Sequence, residues 1–107
     1  MTPEHLLMNQ IRAWCGEHDI LCFRANVGRV LKADNTWFDT GLPSGFPDLI
    51  AFDKNSHTIF IECKVKYNKQ SDDQVKFMQE MRSRGFIYIL AYNLQDVEKT
   101  IQNCLFV

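Results

Sequence analysis

No stretch of this chain is apolar for long enough to span a bilayer, and its first residues lack the basic-then-apolar layout of a secretion signal. A soluble protein of the cytoplasm, with no membrane partner, is expected. Glycine (5) and proline (3) are few, and no linker, repeat or low-complexity tract interrupts the pattern. The four cysteines, Cys15, Cys22, Cys63 and Cys104, have no Cys-x-x-Cys spacing, so a zinc site is not expected. Each sits in an apolar pattern, as reduced and mostly buried thiols of an intracellular protein do. An excess of positive charge is also missing: the formal net charge is -1. Nucleic-acid binders are often basic overall, which weighs against that class. The objection is partial, because metal-binding carboxylates count against the net charge while a bound divalent cation reverses their local sign.

What is present fits one domain, residues 1–107, with 46% hydrophobic residues and enough length to bury a core. Thr2-Pro3-Glu4 opens a helix, with Thr2 as N-cap and Pro3 in the first helical position. Leu7, Ile11, Trp14 and Cys15 follow at helical spacing as a buried stripe. Glu4 lies on that same stripe; on spacing alone it reads as a first-turn carboxylate favoured by the helix dipole. Residues 20–26 alternate as a strand that places Arg24 and Asn26 on one face, facing solvent or reaching a phosphate. Residues 29–33 and 36–40 suggest a short hairpin about Asp34-Asn35, with Trp37 and Phe38 as packing residues.

Ser71-Asp72-Asp73-Gln74 is a capping box, opening a helix that runs to about Arg84 and stops at Gly85. Phe77, Met78 and Met81 form its apolar face, and Gln74 lies on that side. Gln74 either completes the cap or reaches acidic residues or a nucleic acid, and spacing alone does not choose. Residues 86–92 are almost wholly apolar, as in a strand buried on both faces. Asn93 then caps a last helix with Val97, Ile101 and Cys104 on one side. The order of elements predicts an α/β sandwich with a mixed β-sheet flanked by helices.

The chemistry concentrates between Gly45 and Lys64. Gly45-Phe46-Pro47-Asp48 precedes one apolar strand, residues 48–52, and Glu62-Cys63-Lys64 ends the next, residues 58–65. Glu62 and Lys64 are two apart and share a strand face, while Cys63 points the other way. Antiparallel pairing through the turn at Asp53-Lys54-Asn55-Ser56 brings Asp48 opposite the Glu62 end. Two carboxylates make a hard oxygen site suited to Mg²⁺, and an ammonium beside them stabilises a phosphate and its attacking water. Glu62 and Lys64 are also compatible with a plain surface ladder, which leaves Asp48, Glu4 and Gln74 unexplained.

Asp48 followed by Glu62-x-Lys64 resembles the PD-(D/E)XK nuclease superfamily, whose core fold is the restriction-endonuclease-like α/β sandwich. The helix bearing Glu4, the strand end Arg24-x-Asn26 and Ser71-x-x-Gln74 opening a helix closed by Gly85 narrow the likeness to the VRR-NUC family, the virus-type replication-repair nucleases. The resemblance runs from Glu4 to about Tyr92. It implies a metal-dependent endodeoxyribonuclease that hydrolyses phosphodiester bonds with Mg²⁺ or Mn²⁺. Asp48, Glu62 and the backbone carbonyl of Cys63 would hold the metal. Lys64 would position water and stabilise charge, Glu4 would complete the metal site, and Gln74 would support it.

Stand-alone VRR-NUC proteins resemble Holliday junction resolvases, which act as homodimers. The resemblance thus implies branched or four-way DNA as substrate and a two-fold dimer as the acting form. A domain this small has little surface for reading sequence, which favours recognition of structure or backbone. Arg24, Asn26, Arg29, Lys66 and Lys69 are the candidate DNA contacts. The alternatives are a restriction-type or nicking nuclease of a mobile element, such as a phage, and a non-catalytic DNA-binding module on the same fold.

Overall fold

The computed structural model describes residues 1–66 and 68–105, with side chains described through residue 103. Cys104, expected on the apolar side of the last helix, lies outside the described side chains. Helix α1 spans Pro3–Glu17 and α2 spans Asp72–Ser83. Helix α3 spans Leu94–Leu105. The strands are β1 (Leu21–Arg24), β2 (Arg29–Leu31), β3 (Trp37–Asp39), β4 (Leu49–Phe52), β5 (Thr58–Cys63) and β6 (Ile87–Ala91). Four of them form a sheet in the order β1-β4-β5-β6, antiparallel except for the parallel pair β5 and β6. The other two, β2 and β3, make a separate hairpin. This is the mixed α/β architecture expected from the element order.

The helix ends form for the reasons their sequences suggest. Thr2 Oγ1 accepts the His5 N–H at 3.1 Å, so one orphan donor of the first turn is satisfied. Ser71 and Gln74 complete a reciprocal capping box at α2. After α2, Gly85 takes a positive φ of 86°. Asn93 Oδ1 accepts the Asp96 N–H at 2.9 Å and starts α3.

Helices α1 and α3 cover one face of the sheet. Leu7, Met8, Ile11, Trp14 and Cys15 meet Leu49, Ala51, Ile59, Ile61, Cys63, Ile89 and Ala91, with Val97 and Ile101 closing the core. Ile11, Ile59, Ile61 and Ile101 are fully buried, each worth about 1.5–3 kcal/mol relative to exposure. Helix α2 packs on the opposite face, where Phe77 meets Phe60 and Phe46 edge-on. Phe86 and Tyr88 extend this second cluster. Its helix face is only half-buried, because α2 lies over the β5–β6 side and leaves β1 uncovered. Cys15 and Cys63 are buried free thiols, and Cys22 is a half-buried one packed against the core. Among the described residues no helix is long and apolar enough to cross a membrane.

Candidate active site

The carboxylates meet because of strand register. Leu49 stands opposite Ile61 in the β4–β5 ladder, so Asp48 lies across from Glu62 at the open end of the pair. Since Leu49 points into the α1/α3 core, its neighbour Asp48 points to the α2 face. The same alternation sends Ile59, Ile61 and Cys63 to the core and Phe60 and Glu62 to the α2 face. Two backbone hydrogen bonds fix the position: the Cys63 N–H donates to Asp48 Oδ2 at 2.8 Å, and the Ala25 N–H donates to the Asp48 carbonyl at 2.8 Å. The second bond carries the β1 pairing past Arg24, so the Arg24–Asn26 strand end runs beside Asp48.

The glycine ahead of Asp48 is required by the fold. Gly45 has φ of +91°, and a Cβ there would stand 2.5 Å from the Asp73 carbonyl oxygen. The loop presses against the first turn of α2 at this point, and Ser44 Oγ donates to Asp73 Oδ2 at 2.9 Å. Pro47 is buried next to it, and Phe46 inserts between Phe60 and Phe77. Gly45-Phe46-Pro47 thus ties the Asp48 strand to α2.

Glu62 is the centre of the site. It is 2% exposed, and its Oε1 is buried without a hydrogen-bond partner among the described residues. Its Oε2 accepts from Gln74 Nε2 at 3.1 Å. No ion pair to either carboxylate forms among the described residues. Burial first and the charge of Asp48 beside it next push Glu62 up to about 8, while the Lys64 ammonium pulls the other way. A carboxyl so placed, with one oxygen unpaired among the described residues and a second carboxylate against it, has the chemistry to accept a cation.

Gln74 does both things its sequence position allowed. Its Oε1 accepts the Ser71 N–H at 2.8 Å, and its Nε2 donates to Glu62. Only one orientation of the amide satisfies both bonds. The helix cap therefore aims the donor.

Lys64 is half-buried two residues beyond Glu62, and its own N–H donates to the Ala91 carbonyl at 2.9 Å. Glu4, half-buried in the first turn of α1, is near enough to act on Glu62 and Cys63, with the weakest effect of their charged neighbours. Among the described residues no three His, Cys, Asp or Glu side chains stand close enough to hold one ion. The Cys63 thiol is pushed far up by burial and by Asp48 and Glu62; it is inert, and only the backbone of this residue is available as a ligand. The donors on offer, two carboxylates and a carbonyl, are all oxygen, and they fit a hard divalent cation.

The candidate DNA contacts are dispersed. Arg24 lies on the Cys22 side of β1, with Nη2 3.0 Å from His5 Nε2, and Asn26 is exposed. Arg29 stacks over Trp37 in the hairpin, 5.5 Å from the ring centroid. Lys66 and Lys69 are exposed between β5 and α2. Sequence reading missed His5 as the partner of Arg24, and it missed Tyr88. The Tyr88 hydroxyl is buried without a partner among the described residues, and burial with the charges of Glu62 and Asp48 pushes its pKa up. Its one signal was a phenol set inside a run of aliphatic residues. A groove of about 650 Å³ between α1 and the start of α3, lined in part by Leu7, Trp14, Val65 and Tyr92, does not include the carboxylates.

A family model described as the VRR-NUC domain matches residues 4–93. The chain belongs to the VRR-NUC family. VRR-NUC is a nuclease-family domain, which makes DNA the substrate class and phosphodiester chemistry the activity class. A solved structure titled "VRR_NUC domain" shares this fold with a TM-score of 0.73 at 18% identity, over 97% of this chain and 99% of that one. No curated protein matches. Within the VRR-NUC match lie Glu4, Asp48, Glu62, Lys64 and Gln74 together.

Proposed function

We propose that this VRR-NUC chain is a single-domain, structure-selective endonuclease that hydrolyses DNA phosphodiester bonds with a divalent cation, Mg²⁺ or Mn²⁺. The observation that carries the reading is the Glu62 carboxyl: buried, lacking a partner on Oε1 among the described residues, and set against Asp48. Asp48, Glu62 and the Cys63 carbonyl would hold the cation, with Glu4 completing the site from α1. A cation held there would supply Lewis-acid chemistry, polarising the phosphate and lowering the pKa of an attacking water.

The remaining work falls to the chain's own residues. Gln74 orients the Glu62 carboxylate through Oε2, leaving Oε1 for the ion. The Cys63 N–H holds Asp48 in the matching rotamer. Lys64 supplies a positive charge that orients water and stabilises the charge growing on the phosphate. Arg24, Asn26, Lys66 and Lys69 contact the DNA backbone around the Asp48–Glu62 end of the sheet, while Arg29 stands apart on the β2–β3 hairpin. Two copies acting together place two such sites on a four-way junction, whose resolution needs two symmetric nicks.

The test is cleavage of labelled four-way, flap and linear duplex DNA with Mg²⁺, Mn²⁺ or EDTA, beside an Asp48→Ala control. Cleavage of branched DNA that needs a divalent cation and Asp48 is expected. Binding without cleavage under every condition would mean a non-catalytic module. Equal cutting of linear and branched DNA would remove the structure-selective part and favour a nicking or restriction-type enzyme.

A further inference from the structure

The surface of the molecule carries an apolar area that the active site does not use. Strands β2 and β3 pair with each other and with nothing else in the described structure. They form an arm on a molecule 49 Å long and about 30 Å across in the other directions. Strand alternation puts Leu31 and Trp37 on one face of the arm and Val30 and Phe38 on the other. All four are exposed, Trp37 at 57% and Phe38 at 56%. A two-stranded hairpin is marginal in water by itself, and one with apolar side chains on both faces calls for a surface to lie on.

A matching surface lies four residues earlier in the chain. Cys22 turns into the core, so Leu21 and Phe23 point to the opposite face of the sheet, the one that α2 leaves uncovered at β1. Phe52 stands opposite Leu21 in the ladder and its ring lies 6.4 Å from that of Phe23. Leu21 is 64% exposed and Phe23 52%. At roughly 200 Å² per aromatic ring, arm and face together leave on the order of 600 Å² of apolar side chain in water, close to the ~800 Å² each partner gives to a standard interface.

Charge decides between a nucleic acid and a protein as occupant. Across residues 27–40 the cations Arg29 and Lys32 are balanced by Asp34 and Asp39, and Arg29 faces Asp39 across the hairpin. A DNA-binding arm carries net positive charge; a neutral apolar one suits a protein. An arm and an apolar face on the same chain are what a two-fold contact requires, since each copy must present both halves.

We propose that two copies of this chain associate by laying the β2–β3 arm of each on the Leu21-Phe23-Phe52 face of the other. The proposal rests on the two-copy arrangement given above, and it stands or falls independently of DNA cleavage. It is tested by sedimentation equilibrium on the full chain and two variants, Phe23→Lys and Trp37→Glu, with folding checked by circular dichroism. The wild type is expected to sediment at twice the 12.5 kDa monomer mass. Each variant alone, with a charge facing an apolar side chain in both contacts, dimerises at least ~100-fold more weakly.

An equimolar mixture of the two variants dimerises again. One of its contacts is then wild type on both sides, and the other sets Lys against Glu. If Phe23→Lys fails to fold, Leu21→Lys takes its place in the same mixture. A monomeric wild type, variants that dimerise normally, or a mixture that stays monomeric would each overturn the arrangement. Normal dimers in which Trp37→Glu has lost only DNA affinity would assign the arm to nucleic acid instead. Cleavage of branched DNA, read separately, reports on the nuclease reading alone.

Discussion

Replacing Asp48 by Asn should make the metal-free protein more stable at alkaline pH and remove its cleavage activity. Glu62 is pushed from its ordinary value of 4.5 up to about 8, first by burial and next by Asp48. A carboxyl whose folded pKa lies above its unfolded value favours folding below about 4.5, and that contribution is lost as pH rises to about 8. At 1.36 kcal/mol per pKa unit the whole swing is about 5 kcal/mol. Asn keeps an acceptor for the Cys63 N–H, removes the neighbouring charge and sets a donor beside Glu62. Of the swing, the share belonging to Asp48 is on the order of 1–2 kcal/mol, or roughly 5–10 °C in Tm for a domain of this size.

The assay is thermal unfolding by circular dichroism in EDTA at pH 5 and pH 8.5. The gain is expected at pH 8.5 and nearly absent at pH 5, where Glu62 is protonated in both proteins. Mg²⁺ should then raise the Tm of the wild type and leave that of the variant unchanged. An Asp48→Asn protein less stable than wild type at pH 8.5, or equally shifted at both pH values, would refute the idea that the two carboxylates repel in one buried site.

Three further outcomes are expected. Gly45→Ala must fit a Cβ against the Asp73 carbonyl at a positive φ, so urea denaturation should show a loss of about 2–3 kcal/mol, with cleavage reduced as Asp48 is displaced. Gln74→Glu keeps an acceptor for the Ser71 N–H but turns a charge toward Glu62. It should retain the cap and lose cleavage, whereas Gln74→Ala should lose cleavage and also about 1 kcal/mol of helix stability in the same denaturation. Lys64→Ala should bind Mn²⁺ as the wild type does in isothermal titration while cleaving on the order of 100-fold more slowly; full cleavage with intact metal binding would remove Lys64 from the mechanism.

The elements themselves were legible because local chemistry specifies them. Thr2-Pro3, Ser71-x-x-Gln74, Gly85 and Asn93 satisfy or end the backbone hydrogen bonds of their own helices, with no help from distant parts of the chain. The stripe at Leu7, Ile11, Trp14 and Cys15 needs only the helical period. The alternation of residues 58–63 needs only the strand period, and their pairing with residues 49–52 needs only the short turn between them. Thus Asp48, Glu62 and Lys64 could be set together from the sequence, and the family's motifs gave roles to Glu4 and Gln74, whose spacing alone left them open.

Long-range packing decided the rest. Gly45 reads as an ordinary loop residue until α2 is seen to leave no room for a Cβ. Gln74 was ambiguous because capping is local and reaching Glu62 is not; the fold lets one amide do both. Tyr88 and His5 gain their neighbours only through the sheet and the helix–strand contact. Which face of β1 turns inward is another such case: the alternation of Leu21, Cys22 and Phe23 holds for either choice. Only the packing of α1 on one side and the limited reach of α2 on the other bury Cys22 and leave Leu21 and Phe23 in water. Sequence determines periodicity, caps and chemical type because these act over a few residues; burial, close approach and an unpaired carboxylate oxygen arise when segments far apart in the chain share one volume.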